Sequence, residues 1–266
     1  MVLALSACAT GPKREPEKSE NRRMIGLDYF NKGLHRQALA ELLEAVRLDP
    51  ENAEAHNLIG LVFLRQGVDA IDLAERAQCL DGVARTEQQQ LADDKIRKAA
   101  EHFTLAIRAK KDFSEALNNL AVTALHFKDY AAVVRHEDAA LDNILYRDPH
   151  VALGNRGWAY FQRGDAVRAA RDLRQAVFHQ PGFCLGRYRL AEVYYSKKEY
   201  TEALAELDKV WTDPACPIQE AYRLHGKILA LTGDRDGARE RFEKCVQFGK
   251  ESCVARLCER DARLVN

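Results

Sequence analysis

From His150 to Phe183 the chain reads HVALGNRGWAYFQRGDAVRAARDLRQAVFHQPGF, a stretch of 34 residues in which small side chains fall at fixed intervals. Gly157 and Tyr160 lie one helical turn apart, Ala169 follows Gly157 by 12 residues, and Leu173 and Ala176 come 4 and 7 residues later. This spacing predicts two antiparallel helices joined by a short turn at Gly164-Asp165, with Gly157 of the first meeting the alanines of the second. Glycine permits that approach because it has no side chain, and Pro181 ends the second helix because it has no N–H to donate and crowds the preceding turn. One such pair cannot bury its apolar stripe alone, so the pattern requires neighbours of the same kind.

The neighbours are present. Gly26, Tyr29, Gly33, Ala38, Leu42, Ala45 and Pro50 repeat the ruler that Gly157, Tyr160, Gly164, Ala169, Leu173, Ala176 and Pro181 set later. A second unit begins with Gly60, Phe63 and Gly67, but the alanine expected at 72 is met 27 residues late, at Ala99, followed by Phe103 and Ala106. The inserted segment covers about 68–94, where Leu73, Ala77, Leu80 and Leu91 suit extended helix with a break near Asp81-Gly82. Insertions project from such arrays, so this one is either a plain surface excursion or a partner contact. Leu117, Leu120, Ala121, Tyr130 and Ala140 mark a weaker third unit, Leu190, Ala191, Tyr194, Ala203 and Leu207 the fifth, and Gly226, Gly233, Ala238, Phe242 and Cys245 the sixth. The pattern resembles the tetratricopeptide repeat. The resemblance implies an all-α, right-handed superhelical solenoid of six repeats over residues 19–252 (19–52, 53–113, 114–149, 150–183, 184–218, 219–252), closed by a capping helix over 253–266.

Composition narrows the function classes. Lys and Arg number 40 and so do Asp and Glu, which removes the basic footprint of a nucleic-acid binder. The eight histidines are scattered over different repeats, with no HExxH pair and no Ser-His-Asp arrangement, and every glycine of the ruler serves a helix contact or turn rather than a phosphate loop. The expectation is a protein that is not an enzyme and needs no cofactor, metal or small-molecule substrate. The seven cysteines show neither CxxC nor zinc-finger spacing.

Residues 1–8, MVLALSAC, are too short to span a bilayer. Leu5-Ser6-Ala7-Cys8 resembles the bacterial lipobox, in which a small residue precedes a cysteine that is acylated and becomes the mature N-terminus; the alternative is a chance LSAC in an apolar start. Acylation at Cys8 implies outer-membrane anchoring on the periplasmic face, because residue 9 is Ala rather than Asp, and several acyl chains anchor a protein where a single one is marginal. Residues 9–18, charged and proline-bearing, are expected to be a flexible tether.

Successive first helices of such an array line a concave groove. Their groove positions hold Asn57, Leu61 and Leu64, then Asn118, Val122 and Leu125, then Trp158 and Phe161, then Tyr188 and Tyr195. An apolar, aromatic groove with amide rims suits an amphipathic helix or extended peptide, whose backbone Asn57 and Asn118 would bind. Some of these side chains are expected to pack against the next helix instead. Arg23 and Leu27 stand where a terminal-carboxylate clamp would want Lys and Asn, so that clamp is not supported. In an oxidising periplasm the antiparallel helices of the fifth repeat bring Cys184 near Cys216, the first pairing expected; Cys245 and Cys258 flank a turn and form a possible second, with buried free thiols as the alternative.

A lipobox, a charged tether and six such repeats together resemble the type IV pilus pilotins, the Tgl, PilF and PilW group, and most of all Tgl. The resemblance implies a lipoprotein that binds secretin subunits and promotes their outer-membrane insertion and multimer assembly for pilus biogenesis and motility. A scaffold lipoprotein of another outer-membrane system, for β-barrel assembly or cell-wall enzymes, is the alternative.

Overall fold

A computed structural model describes residues 14–76, 86–211, 216 and 218–265. Among them the chain forms thirteen α-helices and no strand: α1 (Pro16–Asn31), α2 (His35–Leu48), α3 (Ala53–Arg76), α4 (Thr86–Ala109), α5 (Ser114–His126), α6 (Tyr130–Leu141), α7 (Pro149–Gln162), α8 (Ala166–His179), α9 (Cys184–Ser196), α10 (Tyr200–Trp211), α11 (Gln219–Thr232), α12 (Arg235–Phe248) and α13 (Cys253–Val265). None of the described helices is long and apolar enough to cross a membrane.

Helices pair in order, α1 with α2 through α11 with α12, and α13 covers α12. Each even-numbered helix buries the same three positions, and the side chains there hold the pairs together. They are Ala38, Leu42 and Ala45 in α2; Ala99, Phe103 and Ala106 in α4; Val133, Glu137 and Ala140 in α6; Ala169, Leu173 and Ala176 in α8; Ala203, Leu207 and Val210 in α10; Ala238, Phe242 and Cys245 in α12, none of them more than 1% exposed. Burying each large apolar residue of this set stabilises the fold by about 1.5–3 kcal/mol. The alanines and a glycine set the helix separation: a Cβ on Gly157 would lie 2.9 Å from Leu173 Cγ and 3.2 Å from the Ala169 carbonyl oxygen. The result is a tetratricopeptide-repeat solenoid of six pairs and a cap.

The N-terminal boundary differs from the expected one. The tether assigned to 9–18 gives way to helix at Pro16, since proline at the first helical position forgoes an N–H that has no partner there. Ser19 is fully buried, its hydroxyl donating to the Ala45 carbonyl at 2.8 Å and accepting from Asn52 Nδ2 at 2.9 Å, while Arg14 Nε donates to Asp49 Oδ1 at 2.7 Å. Charged composition argued for coil, but here the polar groups close the open end of the first pair.

The insertion lengthens α3 and α4 to 24 residues each, and Ala70, Ala74, Ala92 and Ile96 continue their buried seam. Ala77, Leu80 and the break at Asp81-Gly82 lie outside the described residues, as does Cys8. The far end of α3 meets the start of α13: the Cys253 sulfur is 3.3 Å from the Glu75 carbonyl oxygen, and Asp72, Glu75, Gln219, Ser252 and Cys253 help to line a cavity of about 590 Å³ between the two ends. The insertion therefore touches the opposite end of its own array.

Candidate partner-binding groove

The odd-numbered helices touch one another in succession, α1 to α3 and onward to α11 and α13, so their shared face forms the inner surface of the solenoid. Leu61, Leu64, Val122, Leu125, Trp158, Phe161, Tyr188 and Tyr195 are all half-buried, whereas Asn57 and Asn118 are each only 9% exposed. Part of this set also packs inward: Leu61 joins the core of the first two repeats, Phe161 that around Leu173, and Tyr188 and Tyr195 that around Leu207. The Trp158 and Phe161 rings lie 5.4 Å apart at a 40° tilt, and the Arg189 guanidinium stands 5.5 Å from the Trp158 ring centre. This is the aromatic centre of the groove, with a cation added to it.

The two asparagines are engaged differently from what the sequence suggests. Asn57 Oδ1 accepts from Asn119 Nδ2 at 3.0 Å, and Asn118 Oδ1 accepts from Asn155 Nδ2 at 3.1 Å. Both carbonyl oxygens are spent on the next repeat, so these residues clip neighbouring repeats together rather than offering a full amide to a peptide. Asn155 Nδ2 also donates to Glu137 Oε1 at 3.0 Å, and Arg189 Nη1 donates to Asn155 Oδ1 at 3.1 Å and to the Gly154 carbonyl at 3.2 Å. A buried polar chain thus runs from α5 through α7 to α6 and α9.

Its members carry shifted acidities. Burial pushes the Glu137 carboxyl up to about 8, only partly offset by its bond to Asn155 and by Arg156 and Arg189. Burial likewise lowers Arg189 to about 10. Glu137 is neutral at pH 7, and its Oε2 is buried with no partner among the described residues. On α9, burial raises both Glu192 and the Tyr188 hydroxyl, which are bonded to each other.

Sequence reading passed over Asn119, Asn155 and Arg189, yet they share one position, each two residues before the small residue of its first helix (Ala121, Gly157 and Ala191). That spacing was readable. Glu137 gave a signal too, four residues after Val133 and three before Ala140, where the other repeats place Leu or Phe. Three of the histidines make polar contacts between helices: His56 and His102 face each other with their Nδ1 atoms 3.1 Å apart, and His126 Nε2 is 2.7 Å from Asp93. Among the described residues no three His, Cys, Asp or Glu side chains gather as a metal site would need. Cys184 is disulfide-bonded to Cys216 and Cys245 to Cys258, with Cα separations of 5.7 and 6.2 Å.

Residues 26–67 match the family described as TPR repeat, and residues 155–259 match the tetratricopeptide repeat-like domain. Comparison with curated proteins finds no match. Among solved structures, PilF of Pseudomonas aeruginosa is similar at a TM-score of 0.67 and 19% identity, over 92% of this chain and 98% of that one. PilW, described as a widely conserved type IV pilus biogenesis factor, is similar at a TM-score of 0.71 and 20% identity, over 90% of this chain and 97% of that one. A tetratricopeptide repeat protein from Parabacteroides merdae follows at a TM-score of 0.53 and 19% identity, over 94% and 99%. At such identities the likeness concerns the fold, and it agrees with the repeat ruler, the six helix pairs and the family matches: the chain is a tetratricopeptide-repeat protein.

Proposed function

We propose that this protein is a pilotin, an outer-membrane lipoprotein that binds secretin subunits of the type IV pilus machine and promotes their insertion and multimer assembly. The observation that carries the reading is the likeness to PilF and PilW over nearly the whole of both chains, PilW being described as a type IV pilus biogenesis factor. The Leu5-Ser6-Ala7-Cys8 lipobox supports an acyl anchor on the periplasmic face of the outer membrane. The groove supplies the chemistry: a secretin subunit exposes apolar surface before its barrel closes, and the half-buried rings of Trp158, Phe161 and Tyr188 cover such a segment while the anchor holds it at the membrane.

The test is membrane fractionation with a blot for heat-resistant secretin multimer. Cells lacking the protein are expected to lose the multimer, Cys8→Ala to leave a folded protein that cannot place secretin in the outer membrane, and Trp158→Glu with Phe161→Glu to abolish binding in a chain that remains helical. Multimer that persists in all three removes secretin as the client and directs the search to barrel-assembly or cell-wall partners.

A further inference from the structure

The C-terminal end of the groove is built differently from its centre. Between α9, α11, α12 and α13 lies a pocket of about 420 Å³ whose apolar lining includes Tyr195, Ala230, Phe242 and Val265. At its mouth stand Leu231 and Leu264, 58% and 80% exposed, large aliphatic side chains left in water. Its charged lining is uneven: Arg223, Lys227 and Arg260 are present against a single carboxylate, Asp261. Asp261 is already divided, accepting from Arg223 Nε at 2.8 Å on one oxygen and from the Arg260 guanidinium at 3.3 Å on the other. Lys227 lies 5.2 Å from the Tyr195 ring centre, with the Glu192 carboxyl its acidic neighbour along α9. Three cations against Asp261 in the lining and Glu192 beside Lys227 leave the pocket net positive around its apolar surface.

We infer that this pocket docks an acidic amphipathic segment of a protein partner, with an aliphatic side chain on the Phe242 and Leu264 surface and carboxylates on Arg223, Lys227 and Arg260. Charge complementarity selects an acidic occupant over a neutral or basic one, since a basic segment would meet three cations at the rim. The exposed leucines supply contact area that the isolated chain leaves unburied. Continuity fixes the direction: Tyr195 belongs both to the aromatic groove and to the pocket, so a segment lying along α7 and α9 runs into it. The inference rests on the partner-binding reading of the inner face, though not on the identity of the client.

The test uses the full chain and two synthetic probes, a fluorescein-labelled helical peptide of leucine and glutamate and its leucine and lysine counterpart, read by fluorescence anisotropy. The acidic peptide is expected to bind and the basic one not to. Lys227→Glu with Arg260→Glu is expected to weaken the acidic peptide at least tenfold, Leu264→Asp to weaken it comparably, and Phe178→Glu, on an 82% exposed side chain of α8 outside the groove, to leave it within about twofold. Circular dichroism checks that each variant is folded, with Lys227→Gln and Arg260→Gln as the milder pair. Equal binding of the two peptides, binding of neither, or an acidic peptide that loses affinity in Phe178→Glu but not in the charge-reversed pair would each overturn the assignment. No secretin or membrane enters the assay, so its failure is separate from failure of the pilotin reading.

Discussion

The third and fourth repeats stand on the same frame. Helices α6 and α8 are each capped by an aspartate, Asp129 and Asp165, whose side chain accepts from the backbone N–H three residues on at 2.9 Å, and each follows a turn residue with positive φ. At the central buried position they part: α8 has Leu173 and α6 has Glu137, and both are 0% exposed. The backbone is indifferent to this exchange while the energetics are not. Leu173 closes its own repeat, whereas Glu137 is neutral and bonded to Asn155 of the next repeat, which in turn holds Asn118 and Arg189. A pair-closing residue has been traded for one that ties three repeats together beneath the groove.

The sharpest way to break the comparison is to copy the third repeat into the fourth. Leu173→Glu places a carboxyl opposite Gly157, which offers no side-chain donor, and desolvating it there is expected to cost about 4 kcal/mol or more. Urea unfolding followed by circular dichroism reads the loss. A cost below about 1 kcal/mol would mean that the fourth repeat supplies its own partner for a buried carboxyl.

Next in size is the pH dependence that Glu137 alone should impose. Its carboxyl titrates near 4.5 when unfolded and at about 8 when folded. Below pH 4.5 both states are protonated and the group contributes no difference. As pH rises from there to about 8 the unfolded chain releases a proton that the folded one keeps, so stability falls, by up to about 1.4 kcal/mol per pH unit, and levels off above that. Glu137→Gln has no proton to release. The variant should match the native chain near pH 4.5 and exceed it by a few kcal/mol near pH 8.5; parallel stability curves across that range would show that the carboxyl is ionised in the fold.

How far these features were legible differs by the range of the contact. The helix pairs, the turns and the large residue of each second helix follow from intervals inside one repeat, and a 34-residue ruler exposes them. The half-buried aromatic groove around Trp158 and Phe161 follows from the same count. Asn118 and Asn57 do lie on the inner face, but the spacing suggests a peptide's backbone as their ligand, because their partners, Asn155 and Asn119, belong to the following repeat. Residues 16–18 at the start of α1 read as tether because what holds them lies a helix away, Arg14 reaching Asp49 and the adjoining Ser19 reaching Ala45 and Asn52, and a polar run looks the same whether it is solvated or capping a core. The approach of Glu75 to Cys253 spans 178 residues, and no local pattern encodes it.

A third exchange concerns helix separation. The third repeat has Ala121, fully buried, where the fourth has Gly157. Gly157→Ala is expected to cost about 1–3 kcal/mol by overpacking, since the new Cβ meets Leu173 Cγ at 2.9 Å and a backbone oxygen at 3.2 Å. Leu173→Ala removes the offending Cγ, so Gly157→Ala with Leu173→Ala should cost less than the sum of the two single variants. If Gly157→Ala alone is neutral in chemical denaturation, the spacing of α7 and α8 is set elsewhere.

The smallest effect lies in the turns. Where the fourth repeat has Gly164 at φ 84°, the third has Lys128 at φ 58° and the fifth has Lys198 at φ 62°. A side chain in the left-handed region costs about 1–2 kcal/mol, and glycine escapes that cost but loses more backbone entropy on folding, by about 0.5–1 kcal/mol. Relief of strain outweighs the added entropy loss, so Lys128→Gly should stabilise the chain by a few tenths to about 1 kcal/mol. Lys198→Gly should do the same independently, because the two turns belong to different repeats and share no partner, and the double variant should show the sum within about 0.5 kcal/mol. The measurement is the urea midpoint of the two single variants and the double. A loss in either single variant would mean that the lysine makes a contact in its turn worth more than the strain it carries, and that the third and fifth repeats use this position differently from the fourth.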